Sequence, residues 1–201
     1  MNIYCIGRNY AKHATELGNE VPEQPLLFSK PSHSLAIANG QTLVMPKDQG
    51  DIHHEIEIVL KIDKPVNKGD KLVDVVSEIA LGIDLTLRDV QAELKKKGHP
   101  WLRAKGFKNS AIVTDFWSFD MSECLQTPFS FKINDETRQK GTIADMLFSF
   151  QEIIDECAEC FGLGKGDLIF TGTPEGVGSL KTGDQCTLFW GDHEKGTFIV
   201  G

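Results

Sequence analysis

Two stretches of this chain alternate strictly between apolar and other side chains, and they constrain its fold more than any other feature. From Glu55 to Ile62, Ile56, Ile58 and Leu60 fall on one face, while Glu55, Glu57 and Val59 fall on the other. From Ile79 to Leu87, Ile79, Leu81, Ile83, Leu85 and Leu87 share a face, with Asp84 opposite. A period of two is the mark of a β-strand with one face in a core. A strand is also expected from Ile3 to Ile6, and a hairpin joins Phe129–Ile133 to Thr137–Lys140 around Asn134-Asp135. The C-terminal part reads as strands separated by the turns Gly166-Asp167, Gly183-Asp184 and Gly191-Asp192.

About three helices are expected. One runs from about Tyr10 to Leu17, with Asn9 as N-cap and Gly18 as stop. A second covers Asp89 to Lys97, ending before Gly98 and Pro100. The third spans Ile143 to Phe161, with Thr142 and Asp145 as a reciprocal cap and Gly162 as stop. Met146, Leu147, Phe150, Ile153, Ile154, Cys157 and Phe161 give this helix one apolar face. The sum is a β-rich mixed α+β fold rather than a doubly wound sheet. No glycine-rich phosphate loop follows a strand, since Gly162, Gly164 and Gly166 come after a helix.

The 201 residues, 40% of them hydrophobic, suit a single domain, 1–201, around one core. No stretch approaches the roughly 20 apolar residues of a membrane span. The first residues, Met1 to Arg8, do not read as a signal peptide. A net charge of −8 argues against nucleic acid, which needs a basic face. The run Lys95-Lys96-Lys97 reads as a solvated helix end. Five cysteines without a disulfide framework fit a reducing compartment and a cytoplasmic location. Cys157-x-x-Cys160 lies late in a helix and lacks a second pair, so Cys157 is expected in the core and Cys160 near the surface.

Glu55 and Glu57, two apart on a strand, must point the same way. Ionised side by side, they need positive charge to hold them. If the two alternating strands are neighbours, Asp84 joins them. Three hard oxygen ligands suit Mg²⁺ or Mn²⁺ and leave positions free for water and substrate. The competing reading is a solvated acidic strand face. His53 and His54 face opposite ways, so at most one can reach the carboxylates. A cation held by three carboxylates leaves a net charge near −1, so an anionic substrate needs flanking cations. Arg8, Lys30, Arg88, Arg103 and Lys105 are the candidates. His13 and Glu16 lie one helical turn apart, a pairing that can make a general base or simply decorate a helix surface.

Taken together, these segments resemble the fumarylacetoacetate hydrolase superfamily. The blocks run in order: G-R-N-Y-A-K-H-A-x-E from Gly7, F-x-K-P from Phe28, H-H-E-I-E-I from His53, D-L-T-L-R-D-V-Q from Asp84, A-K-G-F from Ala104, N-D-E-T-R-Q from Asn134 and G-D-L-I-F-T-G-T-P-E-G-V-G from Gly166. The small single-domain, acylpyruvase-like members are the nearest in kind, without the extra N-terminal domain of fumarylacetoacetate hydrolase. The resemblance implies a β-roll or sandwich with a few helices and a homodimer. It implies Mg²⁺ or Mn²⁺ on Glu55, Glu57 and Asp84. His13 and Glu16 would form a dyad on a mobile lid, and Lys105 would be a catalytic or substrate-contacting group. Thr173 would contact the substrate carboxylate, with Gly172 permitting close backbone approach. Arg8, Lys30, Arg88 and Gln91 would stand near the substrate.

Two departures bear on specificity. Lys108 follows Phe107 where many members carry aspartate, and the usual prolines are missing from Asn109 to Val113. Asp135 stands where glycine is usual, a harmless turn variant. The implied activity is metal-dependent hydrolysis of an acylpyruvate, a small 2,4-dioxo acid, through an enolate. Oxaloacetate keto–enol tautomerisation, decarboxylation or isomerisation on the same site are the alternatives. A non-catalytic protein that binds a 2-oxo acid or metal is a further one, and it would be missing a ligand or base.

Overall fold

The computed structural model describes residues 1–16 and 21–201. Its main sheet has eight strands. From one edge the order is Leu26–Lys30, Ile3–Gly7, Leu168–Phe170, Ile56–Ile62, Val76–Asp84, Ala111–Val113 and Leu35–Ile37, with Trp117–Ser118 pairing beside Val76–Asp84. A second sheet has five strands in the order Glu136–Gly141, Phe129–Ile133, Gln185–Trp190, His193–Val200 and Asn39–Leu43. The β-rich mixed fold expected from the alternation is what forms.

The two alternating stretches are neighbours, paired antiparallel with Ile56 opposite Ile83 and Glu57 opposite Gly82. Their apolar face lies in the larger core. There Ile56, Ile58, Leu60, Leu81 and Ile83 pack with Phe129, Phe131, Leu188, Trp190 and Phe198 of the second sheet. The opposite face holds a smaller cluster of Ile3, Cys5, Val59, Ala80, Ala111, Val113, Leu168 and Phe170. Gly82 belongs there because a Cβ would lie 2.6 Å from both Phe170 and Val59.

Both central strands leave the main sheet at their acidic ends. Ile52–His54 and Thr86–Leu87 pair with each other in a separate three-stranded sheet, completed by Gly178–Ser179. The bends therefore fall at Glu55 and Leu85, where the Asp84 N–H donates to the Glu55 carbonyl at 2.8 Å. Main-chain pairing thus brings the three carboxylates to one point.

Six α-helical segments are present among the described residues, not three. Ala11–Glu16 and Arg88–Lys96 are close to expectation, and Leu72–Val75, Leu102–Lys105 and Met121–Gln126 are too short to show a period. The Gly18 stop lies outside the described residues. Asn9 does not serve as a simple cap. Its amide donates to the carbonyls of Phe148 (3.1 Å) and Thr171 (2.8 Å), and its Oδ1 accepts from Phe148 N–H (2.7 Å). Leu147 N–H also donates to the Asn9 carbonyl.

That tie corrects the start of the long helix. Ile143–Asp145 forms only a 3₁₀ turn, and Met146 is extended. The helix is Phe150–Cys160, with Ser149 and Glu152 making the capping box assigned to Thr142 and Asp145. Gly162 follows its end at φ 75°, as expected of a stop. Cys157 is buried and Cys160 exposed, as read from the sequence, whereas Phe161 is 55% exposed and stacks on Tyr4 instead of entering the core. The hairpin turns at Asn134 and Asp135, both with positive φ, which aspartate tolerates.

Candidate active site

Glu55, Glu57 and Asp84 are each at most 5% exposed. Each offers a carboxylate oxygen within 4.8 Å of the others'. Such a cluster is costly unless it is neutralised. Two lysines and an arginine do most of that. Lys105, at the end of Leu102–Lys105, puts Nζ 2.6 Å from both Glu55 and Asp84. Lys30, at the end of its edge strand, lies 2.7 Å from Asp84 Oδ1 and donates to the carbonyls of Leu85 and Lys105 and to Ser110 Oγ. Arg88, at the start of its helix, donates to Glu55 at 2.5 Å and, through Nη1, to Gln91 one turn on at 2.7 Å.

The protonation of these groups follows their partners. Burial opposes ionisation of Glu55, but Lys105 and Arg88 outweigh it and hold its pKa well below the usual carboxylate range. Burial likewise disfavours the Lys105 ammonium, yet Asp84 and Glu55 raise its pKa above the ordinary lysine value. Glu57 is the exception. No side-chain cation touches it among the described residues, and its Oε2 accepts only the Gly172 N–H at 2.7 Å. Burial and then the Asp84 charge raise its pKa well above the ordinary value.

This imbalance is the test of whether a metal fits. The donors are three buried hard carboxylates, and one of them, Glu57, lacks a positive partner. Asp84 Oδ1 is buried with the Lys30 ammonium 2.7 Å away but outside hydrogen-bond geometry, so its lone pairs stay open to a cation. Both features suit an oxygen-seeking divalent cation such as Mg²⁺ or Mn²⁺. The two histidines do not join. His53 Nδ1 accepts from Arg88 Nε at 3.3 Å. His54 packs on Phe131 and pairs with Gln139 at 2.9 Å, and burial lowers its pKa to about 4.

The carboxylates form the floor of a cleft of about 400 Å³, its open mouth included. Of the residues singled out in the sequence, Arg8, His13, Arg88, Gln91, Lys105 and Thr173 line it with the three acids. Four do not. Lys30 stands behind Asp84, Glu16 is exposed and turned to the Gly176 N–H, and Arg103 is exposed. Gly172 takes φ 100°, and a Cβ there would lie 2.6 Å from the side-chain Cβ of Asn9 and 3.3 Å from the Ile6 carbonyl oxygen. Its place is thus under Glu57 rather than on the cleft wall. Lys108, the departure from the family pattern, is exposed and outside the lining.

His13 is buried, with Nδ1 3.5 Å from Glu16, an ion-pair distance rather than a formed hydrogen bond. Burial lowers its pKa, against the opposing pull of Glu55 and Glu16. Glu16 also accepts the Gly176 N–H at 3.2 Å, which fastens the short helix to the loop after Thr173. Thr173 Oγ1 accepts from Gln139 Nε2 at 2.9 Å and donates to the Pro174 carbonyl at only 3.5 Å, so its hydroxyl hydrogen can turn to a closer acceptor.

Sequence reasoning missed Phe28, Lys95 and Trp101 on the cleft wall and Gln139 behind it. Lys95 had a signal. Arg88, Gln91 and Lys95 follow at three and four residues on one helical face. The triple lysine masked it.

Comparison with known proteins agrees with this architecture. Residues 2–195 match the family model described as Fumarylacetoacetate (FAA) hydrolase C-terminal. The chain is 38% identical to oxaloacetate tautomerase YcgM of Escherichia coli, covering 98% of this chain and 92% of that one. It is 40% identical to the mitochondrial oxaloacetate tautomerase FAHD1 of Homo sapiens, covering 92% and 84%. The crystal structure of fumarylpyruvate hydrolase from Pseudomonas aeruginosa in complex with Mn²⁺ and pyruvate superimposes with a TM-score of 0.92 at 31% identity, over 100% of this chain and 89% of that one. This chain belongs to the fumarylacetoacetate hydrolase family. No helix among its described residues is long and apolar enough to cross a membrane.

Proposed function

We propose that this protein is a divalent-metal-dependent enzyme of small 2-oxo acids, with Glu55, Glu57 and Asp84 as the metal ligands and oxaloacetate keto–enol tautomerisation as its first activity. The observation that carries the metal is Glu57, a buried carboxylate without a cation beside two that have theirs. The substrate assignment is supported by the two relatives at 38% and 40% identity that bear that name. Mg²⁺ and Mn²⁺ suit the same donors, and a relative's structure holds Mn²⁺ with pyruvate.

The bound cation supplies Lewis acidity toward a 2-oxo acid. The chain's residues do the rest. Thr173 offers a hydroxyl to the substrate carboxylate, and Arg88 and Gln91 flank it. Burial lowers the His13 pKa and so favours the uncharged imidazole, which can accept the C3 proton through Nε2, the nitrogen turned from Glu16. Charge then develops on the 2-oxo oxygen, which faces the fixed ammonium of Lys105. Return of the proton to that oxygen gives the enol, and the reverse path gives the ketone.

Hydrolysis of an acylpyruvate is the second reading, favoured by the intact His13–Glu16 pair and by the fumarylpyruvate hydrolase likeness. There His13 deprotonates water, which attacks the far carbonyl. The C–C electrons pass to C3, which takes up the proton, leaving pyruvate and a carboxylic acid. Decay of enol-oxaloacetate and pyruvate release from acetylpyruvate, each with Mg²⁺ and with EDTA, test the two. EDTA-sensitive enol decay alone supports the tautomerase, and EDTA-sensitive pyruvate release supports the hydrolase. Absence of both activities would refute the assignment. A homodimer belongs to this reading on family resemblance. A reducing compartment such as the cytoplasm is supported by five unbridged cysteines.

A further inference from the structure

The charges of the cleft do not balance once its pairs are drawn. Lys30, Arg88 and Lys105 are taken up by Glu55 and Asp84, while Glu57, without a cation, is left for the metal. Arg8 and Lys95 also line the cleft, and neither has an acidic side chain within ion-pair distance among the described residues. Arg8 is half-buried and held at φ 60°, a conformation uncommon for a residue with a Cβ. Lys95 is exposed at the rim, its Nζ 5.4 Å over the Trp101 ring. It sits seven residues beyond Arg88 on the same helix, so its Cα is about 10 Å farther along the axis from the carboxylate floor. Helical side chains lean toward the N-terminus, which brings its ammonium back toward the cleft. Between the rim and the floor stand Phe28 and Trp101, which offer rings and no charge to a second anionic group.

Resting on the 2-oxo acid reading above, we infer that Arg8 and Lys95 form a subsite for the second carboxylate of a dicarboxylic substrate, so that the cleft selects dianionic over neutral-tailed 2-oxo acids. The first carboxylate and 2-oxo group go to the floor. The chain of the substrate runs along Phe28 and Trp101, and its far carboxylate meets the two surplus cations. The local field agrees. Desolvation, and after it the positive charges of Arg8 and Arg88, press the Lys95 pKa below its ordinary value. An anion placed there relieves that repulsion.

Calorimetric titration in saturating Mg²⁺ compares oxaloacetate with 2-oxobutyrate, which has a methyl group in place of the far carboxylate. The unaltered protein binds oxaloacetate more tightly. Lys95→Met and Arg8→Gln each weaken oxaloacetate about tenfold, the scale of one lost charged hydrogen bond. They leave 2-oxobutyrate within about twofold, and Lys95→Glu weakens oxaloacetate further. Equal weakening of both ligands, or no weakening of either, overturns the subsite alone. Failure of the unaltered protein to bind either acid overturns the 2-oxo acid reading and the subsite with it.

Discussion

The carboxylate floor and the His13 helix face each other across one cleft but are held in different ways. Glu57 and Asp84 ride on paired central strands, and Glu55 sits at the bend between two sheets. Every member of that cluster is buried and bonded. His13 rides on a six-residue helix, Ala11–Glu16, tied to the loop after Thr173 through two 3.2 Å contacts of Glu16. A cation site needs its ligands fixed before the ion arrives. A proton-transfer group must approach a substrate that enters and leaves. The contrast teaches that the proposed metal ligands are built into the sheet, whereas the proposed base rides on a short helix at the surface.

Substitutions can break that contrast at either end. Replacing Glu57 with Ala should abolish metal binding and all activity, because two of three ligands cannot hold the ion. Full activity in that variant would refute the site. His13→Ala should lower enol-oxaloacetate decay, and hydrolysis of an acylpyruvate alike, by about 10²–10⁴-fold, the usual worth of a positioned base. It should leave metal affinity unchanged and largely spare decarboxylation. Equal loss of hydrolysis and decarboxylation would remove the water-activating role.

Gly172→Ala should weaken metal binding as well as stability, since its Cβ would collide with Asn9 and displace the N–H that holds Glu57. Thermal melts with and without Mn²⁺ separate the two effects. Glu16→Gln should have the smallest effect, about tenfold in turnover with unchanged metal affinity. An effect as large as that of His13→Ala would mean that Glu16 does more than orient the ring.

The pH dependence sharpens the same comparison. Without a cation, the raised pKa of Glu57 means the folded state holds a proton that the unfolded chain has released. Stability of the cation-free protein should therefore fall as pH climbs from the ordinary carboxylate range through that raised value. A bound cation favours the ionised form and should flatten the slope. Melting curves with EDTA and with Mg²⁺ across that range check the sign.

The floor was legible because strand alternation fixes direction, so Glu55, Glu57 and Asp84 could be set on one face before any contact was known. The turns at Asn134-Asp135 and the glycine stop at Gly162 were legible for similar local reasons. What escaped depended on distant partners. Thr142 with Asp145 and Ser149 with Glu152 both fit a cap, and the choice falls to Asn9, which grips Leu147 and Phe148 and holds them out of the helix. Gln139 and Thr173 are 34 residues apart in sequence, and nothing local joins them. Lys95 carried the right spacing but sat in a lysine run typical of a solvated helix end.

The most direct test of the metal site is a calorimetric Mn²⁺ titration of the unaltered protein and of Glu57→Ala, in buffers of different protonation enthalpy. The account predicts one saturable site per chain, proton release on binding, and loss of that site in the variant. Absence of saturable binding, or the same affinity in Glu57→Ala, would contradict it.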